Sequence, residues 1–477
     1  MEMPVQVRTT AGFTSAPPLR TLQLTKPAKD LRKAASISLV TALSHHHWKK
    51  KVGSKLCRRG KQPNLTLSDA SALCKLRRFP SLSEARSALG SPVGWHLAVK
   101  DLLKTLAGKN RADLLLRALQ VCMDRQVRLD AKDFTVALSM CARFKTWQDA
   151  CLILNSMPEA TVQANIYSFS ATISACEKAS QWRQAMALFT ALCANVRPNI
   201  YSFCSTISAC EKGGQWEKAL ALFTLMRAAT VQATSYSFNA TISAFEKGAQ
   251  WQQALALFRE MPTAGVQADI YTFNAAISAC EKGGRWQQAL ALFMSMPTAH
   301  VQADGISCGA TISACEKGRQ WRLALALLAG MSEARVQATA IIISAAISAC
   351  EEGGRWQHAL TLLTGMPFSR IQADEISFNA SISACEKASQ WQKALALFSE
   401  MHQANVRADI YSFNATLSSC DKGAQGHRAL ALLTCMPEAQ IQADKISINS
   451  TIRACEKEGV LGPSLGLLLG HTSPSGA

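Results

Sequence analysis

A tryptophan that returns at a fixed interval constrains this chain more than any other feature. Trp147, Trp182, Trp216, Trp251, Trp286, Trp321, Trp356 and Trp391 are 35 residues apart, with a single step of 34. Gly426 takes the next place in phase. A period between 20 and 50 residues, held over this many copies, predicts a solenoid, because each copy buries its apolar faces only against its neighbours. The 477 residues are therefore not expected to divide into three globular domains of ordinary size, as length alone would suggest.

Residues 270–304 show how one repeat works: IYTFNAAISACEKGGRWQQALALFMSMPTAHVQAD. Phe273, Ile277 and Cys280 lie on one stripe of a helix. Gly283 and Gly284 end that helix. Trp286, Ala289, Leu290, Leu292 and Phe293 open a second apolar pattern, with Met296 one turn later. Pro297 discourages continuation. The spacing thus predicts an all-α chain, an α-solenoid of helix A, turn, helix B and connector. Phased to end on the Asp of VQAD, full repeats start at Ala131, Ile166, Ile200, Ser235, Ile270, Gly305, Ala340, Glu375 and Ile410. A last, incomplete one starts at Lys445. Tryptophan, the helix B Ala/Leu/Phe positions and a recurring cysteine are expected in the core. Phe245 replaces that cysteine once, which favours packing over metal or redox chemistry.

Charge divides the chain. Residues 1–130 hold 24 Lys+Arg against 8 Asp+Glu, and residues 131–477 hold 27 against 25. The basic balance therefore belongs to the N-terminal quarter and is not a nucleic-acid footprint over the whole chain. Residues 1–62 contain only Glu2 and Asp30 as acids and are expected to be a disordered leader. Such a leader resembles an organelle transit peptide; an unstructured basic tail is the alternative. Residues 63–130 are expected to be helical with one decayed repeat near their end, 131–458 to be the array, and 459–477 a degenerate cap. Hydrophobic content of 48 % is too high for wholesale disorder. No apolar run approaches the ~20 residues of a membrane helix, so no membrane insertion is expected. Nine cysteines, Cys141, Cys176, Cys210, Cys280, Cys315, Cys350, Cys385, Cys420 and Cys455, share one phase. Stacked helices stand too far apart for these to form bridges, and they read as small buried hydrophobes.

The period, the segments NAAISACEKGGRWQQALALF and VQAD, and the Asn at the fifth place resemble the pentatricopeptide repeat family over about 330 residues. The tetratricopeptide pattern is absent. The resemblance implies a right-handed superhelix whose repeats each read one base of single-stranded RNA, using the fifth and last residues of a repeat. It implies adenine readers at Thr135 with Asn165 and at Ser170 with Asn199. It implies uracil readers, tolerating cytosine, at Asn239 with Asp269, Asn274 with Asp304, Asn379 with Asp409 and Asn414 with Asp444, and a guanine reader at Ser344 with Asp374. Cys204 with Thr234 matches no known pair, and Gly309 with Thr339 offers almost no base-edge chemistry. The implied target is 5′-A-A-n-U-U-n-G-U-U-3′.

Two further rows run through the array. The second residue of each repeat is Tyr167, Tyr201, Tyr236, Tyr271, Ile306, Ile341, Ile376, Tyr411 or Ile446. In the family this place wedges between bases, so tyrosine there either stacks on a base or packs between helices with its hydroxyl outward. Lys178, Lys212, Lys247, Lys282, Lys317, Lys387 and Lys422 end helix A, and Glu352 breaks the row. These cations suit phosphates and equally suit a helix C-terminus.

Enzymatic signatures are lacking. There is no HxE with CxxC of a deaminase, no P-loop and no GxSxG elbow. His45-His46-His47 lies in the leader without partners. No catalytic residue, metal or cofactor is expected. The expected partners are single-stranded RNA and organellar RNA-processing proteins, with the chain a monomer in a chloroplast or mitochondrion, chloroplast slightly favoured. A protein-interaction scaffold and a decayed array are the competing readings.

Overall fold

The computed structural model describes residues 129–459. The leader, the segment before residue 129 with its decayed repeat, and the tail after residue 459 lie outside the described residues. Those that are described fall into two compact parts, residues 129–175 with 183–198 and residues 176–182 with 199–459. Every secondary-structure element among them is helical. Helix A of the successive repeats is α1 (Ala131–Phe144), α3 (Ile166–Lys178), α5 (Ile200–Lys212), α7 (Ser235–Lys247), α9 (Ile270–Lys282), α11 (Gly305–Lys317), α13 (Ala340–Glu352), α15 (Glu375–Lys387), α17 (Ile410–Lys422) and α19 (Lys445–Glu458). Helix B is α2 (Trp147–Ser156), α4 (Trp182–Asn195), α6 (Trp216–Ala228), α8 (Trp251–Glu260), α10 (Trp286–Ser295), α12 (Trp321–Glu333), α14 (Trp356–Gly365), α16 (Trp391–Gln403) and α18 (Gly426–Glu438).

In the first part, α1 packs on α2 over Phe134, Leu138, Ala150 and Leu154, all buried. In the second, each helix A packs against its own helix B and against the helix A that follows. The seam is aromatic. Phe223 meets Phe238 edge-on at 5.0 Å, Phe258 meets Phe273 at 5.0 Å, and Phe398 meets Phe413 at 4.8 Å. In each pair a helix B ring touches the next repeat's helix A, a geometry aromatic quadrupoles favour. The phased cysteines are buried, and the cysteines among the described residues are free thiols. Burial pushes Cys210 and Cys280 up to about 12 and Cys315, Cys350, Cys385 and Cys420 up to about 11. These thiols are packing groups, inert at neutral pH.

Helix A begins where it does because the last residue of the preceding repeat caps it. Asp269 Oδ1 accepts from the Thr272 N–H at 2.9 Å, while Thr272 Oγ1 accepts from the Asp269 N–H at 3.1 Å. Asp304, Asp374, Asp409 and Asp444 repeat this reciprocal box with Ser307, Ser377, Ser412 and Ser447. Two orphan amide groups are satisfied at each helix start.

The tryptophans depart from the expected core role. They are half-buried and lie under the turn of the following repeat. A Cβ added at Gly283 would come 2.4 Å from Trp251 Cδ1, and one at Gly318 would come 2.3 Å from Trp286 Cδ1. Gly283 has an ordinary φ of −79°, so this first glycine serves close approach and not helix breaking. Gly284 is left-handed at φ +65°. Ala249, Arg319, Ser389 and Ala424 adopt the same φ in other repeats, so the turn tolerates side chains there. Cations cover the exposed ring faces: Lys218 over Trp182 at 3.7 Å, Arg285 over Trp251 at 4.8 Å and Arg428 over Trp391 at 4.4 Å.

Proline after helix B ends the α-helix as expected in three repeats, where α8, α10 and α14 stop just before it. Pro262, Pro297 and Pro367 open a 3₁₀ turn, a first-turn place where a missing N–H is harmless. Pro437 sits inside the last turn of α18. Among the described residues no helix is long and apolar enough to cross a membrane.

Candidate functional site

At five helix A starts the two residues that the resemblance assigns to base reading come together. The fifth residue lies one turn inside the helix, on the side that faces the cap of the next helix A. Asn239 Nδ2 therefore donates to Asp269 Oδ1 at 3.0 Å, and to Oδ2 at 3.1 Å. Asn274 reaches Asp304 at 3.3 Å, Asn379 reaches Asp409 at 3.1 Å, and Asn414 reaches Asp444 Oδ2 at 3.1 Å. Each Asn is half-buried, and a second amide hydrogen remains for an incoming group.

A third residue locks these pairs, one that the sequence reading missed. Thr272, Ser412 and Ser447 donate at 2.6 Å to the Oδ1 of Asn239, Asn379 and Asn414. These hydroxyls are buried and belong to the capping boxes. The available signal was the recurring D-x-x-[ST] spacing. Asn274 differs, because Ser307 turns to the Asp304 backbone carbonyl at 2.9 Å and leaves the Asn274 Oδ1 buried without a hydrogen-bond partner. Burial pushes the Asp444 carboxyl up, yet donors from the Ser447 backbone and hydroxyl, with the Asn414 amide, hold it below the usual range.

The other assigned pairs are less open. Ser344 reaches Asp374 at 3.3 Å, but its hydroxyl is also 2.8 Å from the Ala340 carbonyl and the residue is only 3 % exposed. That burial corrects the expectation of a hydroxyl presented to a guanine. Thr135 donates to the Ala131 carbonyl at 2.6 Å, and Asn165 Oδ1 accepts from the Ser168 N–H at 3.0 Å. Thr135 and Asn165 do not bond each other. Ser170 Oγ is buried without a partner; Asn199, in the other compact part, caps α5 through Ser202. Cys204 is buried beside Thr234, with its thiol pushed up to about 11 by desolvation. At Gly309, Ile342 Cγ1 stands 3.2 Å from where a Cβ would be. An isoleucine thus fills the place that serine or threonine holds in other repeats.

The second residues form an exposed row. Tyr271 is 73 % exposed and Ile341 75 %; Tyr167, Tyr201, Ile306, Ile376, Tyr411 and Ile446 resemble them. Tyr236 is the least exposed, and burial raises its phenol beside Ser208 of the preceding repeat. These exposed side chains offer aromatic and aliphatic faces to planar ligands.

The lysine row is occupied. Lys212, Lys247, Lys282, Lys317, Lys387 and Lys422 lie 2.8 to 3.0 Å from Glu177, Glu211, Glu246, Glu281, Glu351 and Glu386 of the preceding repeat. Lys178 is exposed and outside this ladder. Six of the lysines expected to meet phosphates thus already face a half-buried carboxylate of the neighbouring repeat. No group of metal-ligating side chains is found among the described residues.

Comparison with known proteins identifies what these repeats are similar to. A model described as the PPR repeat family matches residues 233–282 and 373–422. One described as the pentatricopeptide repeat domain matches residues 117–179 and 192–247, and a PPR repeat model matches residues 271–301. No curated protein matches. Among solved structures, the chain resembles the pentatricopeptide repeat protein PPR10 from maize, with 12 % identity and a TM-score of 0.56, over 93 % of this chain and 70 % of that one. PPR10 in complex with an 18-nt psaJ RNA element aligns at 18 % identity and a TM-score of 0.39, over 94 % of this chain and 69 % of that one. Yeast Rmd9p in complex with a 16-nt target RNA aligns at 11 % and 0.34, over 78 % and 89 %.

Proposed function

Because the chain belongs to the pentatricopeptide repeat family, we propose that it binds single-stranded RNA selectively, one base per repeat. The observation that carries this reading is the fourfold Asn–Asp contact at the helix A starts, each beside an exposed Tyr or Ile. An amide offers a donor and an acceptor, which complements the edge of a uracil. An aromatic or aliphatic face next to it holds the base in plane. The strongest readers are the repeats of Asn239, Asn274, Asn379 and Asn414. The repeats of Cys204 and Gly309 contribute little, and Ser344 acts through Asp374. The bound chain acts by occupancy, without catalysis of its own, as a monomer that protects, remodels or presents an organellar transcript to processing proteins. A basic, acid-poor leader supports import into a chloroplast or mitochondrion.

Filter binding tests this. The chain should prefer 5′-A-A-n-U-U-n-G-U-U-3′ over a scrambled nonamer, and Asn274→Ser should change the preference at the fifth base alone. Equal affinity for both nonamers overturns the reading.

A further inference from the structure

The four Asn–Asp repeats share the same pair of residues, but one of them has an additional acid beside it. In the repeat of Asn379 the first residue is Glu375, where the others have Ser235, Ile270 and Ile410. Glu375 and Asp409 line one cavity of about 320 Å³ with Arg407, Ala408, Ile410, Gln440 and Ile441. The geometry of the pair is altered accordingly. Asn239, Asn274 and Asn414 each span both oxygens of their aspartate. Asn379 reaches only Oδ1 of Asp409, the oxygen that also accepts from the Ser412 amide and hydroxyl, as the matching oxygens do in the other three repeats. Oδ2 takes no hydrogen bond from Asn379 or Ser412, and Glu375 lines the same cavity.

We propose that Glu375 is a specificity-determining residue of the eighth repeat, whose carboxyl competes with the base for Asp409. The inference rests on the base-reading function proposed above. When both acids are ionised their like charges push Glu375 away, and Asp409 keeps an oxygen free to accept from a base. When Glu375 holds a proton, its O–H donates to Asp409 and takes that acceptor out of use. Discrimination at the eighth base then falls as the pH falls. Hydrogen bonding to Asp409, with burial and the charges of Asp409 and Asp374, raises the Glu375 carboxyl, and Arg407 opposes this. Gln440 and Ile441 add no charge.

The test measures the affinity ratio for nonamers with U or A at the eighth base, between about pH 8 and about pH 4.3, the ordinary glutamate value, at which a raised carboxyl is more than half protonated. The fifth base, read by Asn274 and Asp304, is the internal control. In the parent chain the eighth-base ratio should fall roughly five-fold on acidification, the worth of one hydrogen bond, while the fifth-base ratio holds. Glu375→Gln, a permanent donor, should keep the eighth-base ratio low at every pH. Glu375→Ile, as at Ile270, should keep it high. Glu375 is exposed, so neither variant threatens the fold, and circular dichroism checks that. A discriminating fifth base with a pH-independent eighth overturns the role of Glu375 alone. Ratios of one at both bases overturn the pairing premise, and the inference with it.

Discussion

Lys247 Nζ stands 2.8 Å from Oε1 of Glu211, which lies 36 residues earlier and on the preceding helix A. Ser243 donates to the same oxygen at 3.1 Å. The lysine is 40 % exposed and the glutamate 16 %, so the pair straddles the surface and the seam. Repeated along the second compact part, it holds neighbouring helices in register and engages six of the lysines expected to meet phosphates.

Lys282→Ala combined with Lys317→Ala should therefore leave the salt dependence of RNA binding unchanged and lower the thermal midpoint slightly, as loss of surface pairs does. The measurement is log Kd against log salt concentration. A slope flattened by about two would return these lysines to phosphate contact.

The ladder has one gap. Thirty-six residues after Glu316 comes Glu352 and not a lysine. Glu352 is itself engaged by Lys387 at 2.6 Å and by Arg319 at 3.3 Å. Desolvation of Glu316, with the nearby Glu351, Glu281 and Glu352, raises its carboxyl from 4.5 to about 7 against the pull of Lys317. The folded state thus holds this proton more tightly than the unfolded chain. That contribution is complete below pH 4.5 and is lost as the pH rises through about 7. Glu316→Gln should melt above the parent at about pH 8, and the advantage should disappear near pH 5. Equal differences at both pH values would remove the charge from the explanation.

The sixth repeat is apolar where its neighbours are polar, since Ile342 closes on Gly309. Gly309→Asn, Thr339→Asp and Ile342→Ser together restore the Asn, Asp and Ser that meet in the ninth repeat. The triple variant should gain a preference for uracil over adenine at the sixth base of at least about five-fold. Isothermal titration with both oligonucleotides measures it. An unchanged ratio in a folded variant would break the link between this triad and base choice.

Thr230 is β-branched yet left-handed, at φ +57°, where Gly265 stands in the following repeat. Thr230→Gly should stabilise the chain by about 1 kcal/mol, the cost of a side chain in that region. Urea denaturation followed at 222 nm reads the change. A loss of stability would mean that the Thr230 side chain makes a contact worth more than the strain.

Much of this was legible in the residues themselves. The tryptophan interval and the VQAD phase locate each helix A start, because the terminal Asp is a cap and caps act locally. The Asn–Asp juxtaposition was implied by resemblance alone. The third member, such as Thr272 or Ser447, stood in view in the D-x-x-[ST] spacing but gains its meaning only when Asn239 or Asn414 packs above it. Partners 30 to 36 residues away were not legible. The adjacency of Glu and Lys in one helix suggests a terminal dipole pair, while the actual partner of Lys247 is on the previous layer. Trp251 was placed in the core because large aromatic groups are usually there. Its ring is instead a platform beneath Gly283, a role that belongs to two repeats at once.

The double duty of Asp269, Asp304, Asp374, Asp409 and Asp444 limits how such an array can be rewritten. Each is a helix cap and, in the function proposed above, half of a recognition pair, so a change of letter at that place is also a change in folding. Replacing one by alanine sacrifices about 1 kcal/mol of cap at every recoded position, and the losses accumulate along the stack. The usable alphabet there shrinks to short side chains that accept from a backbone amide: Asp, Asn, Ser and Thr. Evolution and protein engineers alike must compose new addresses from those four.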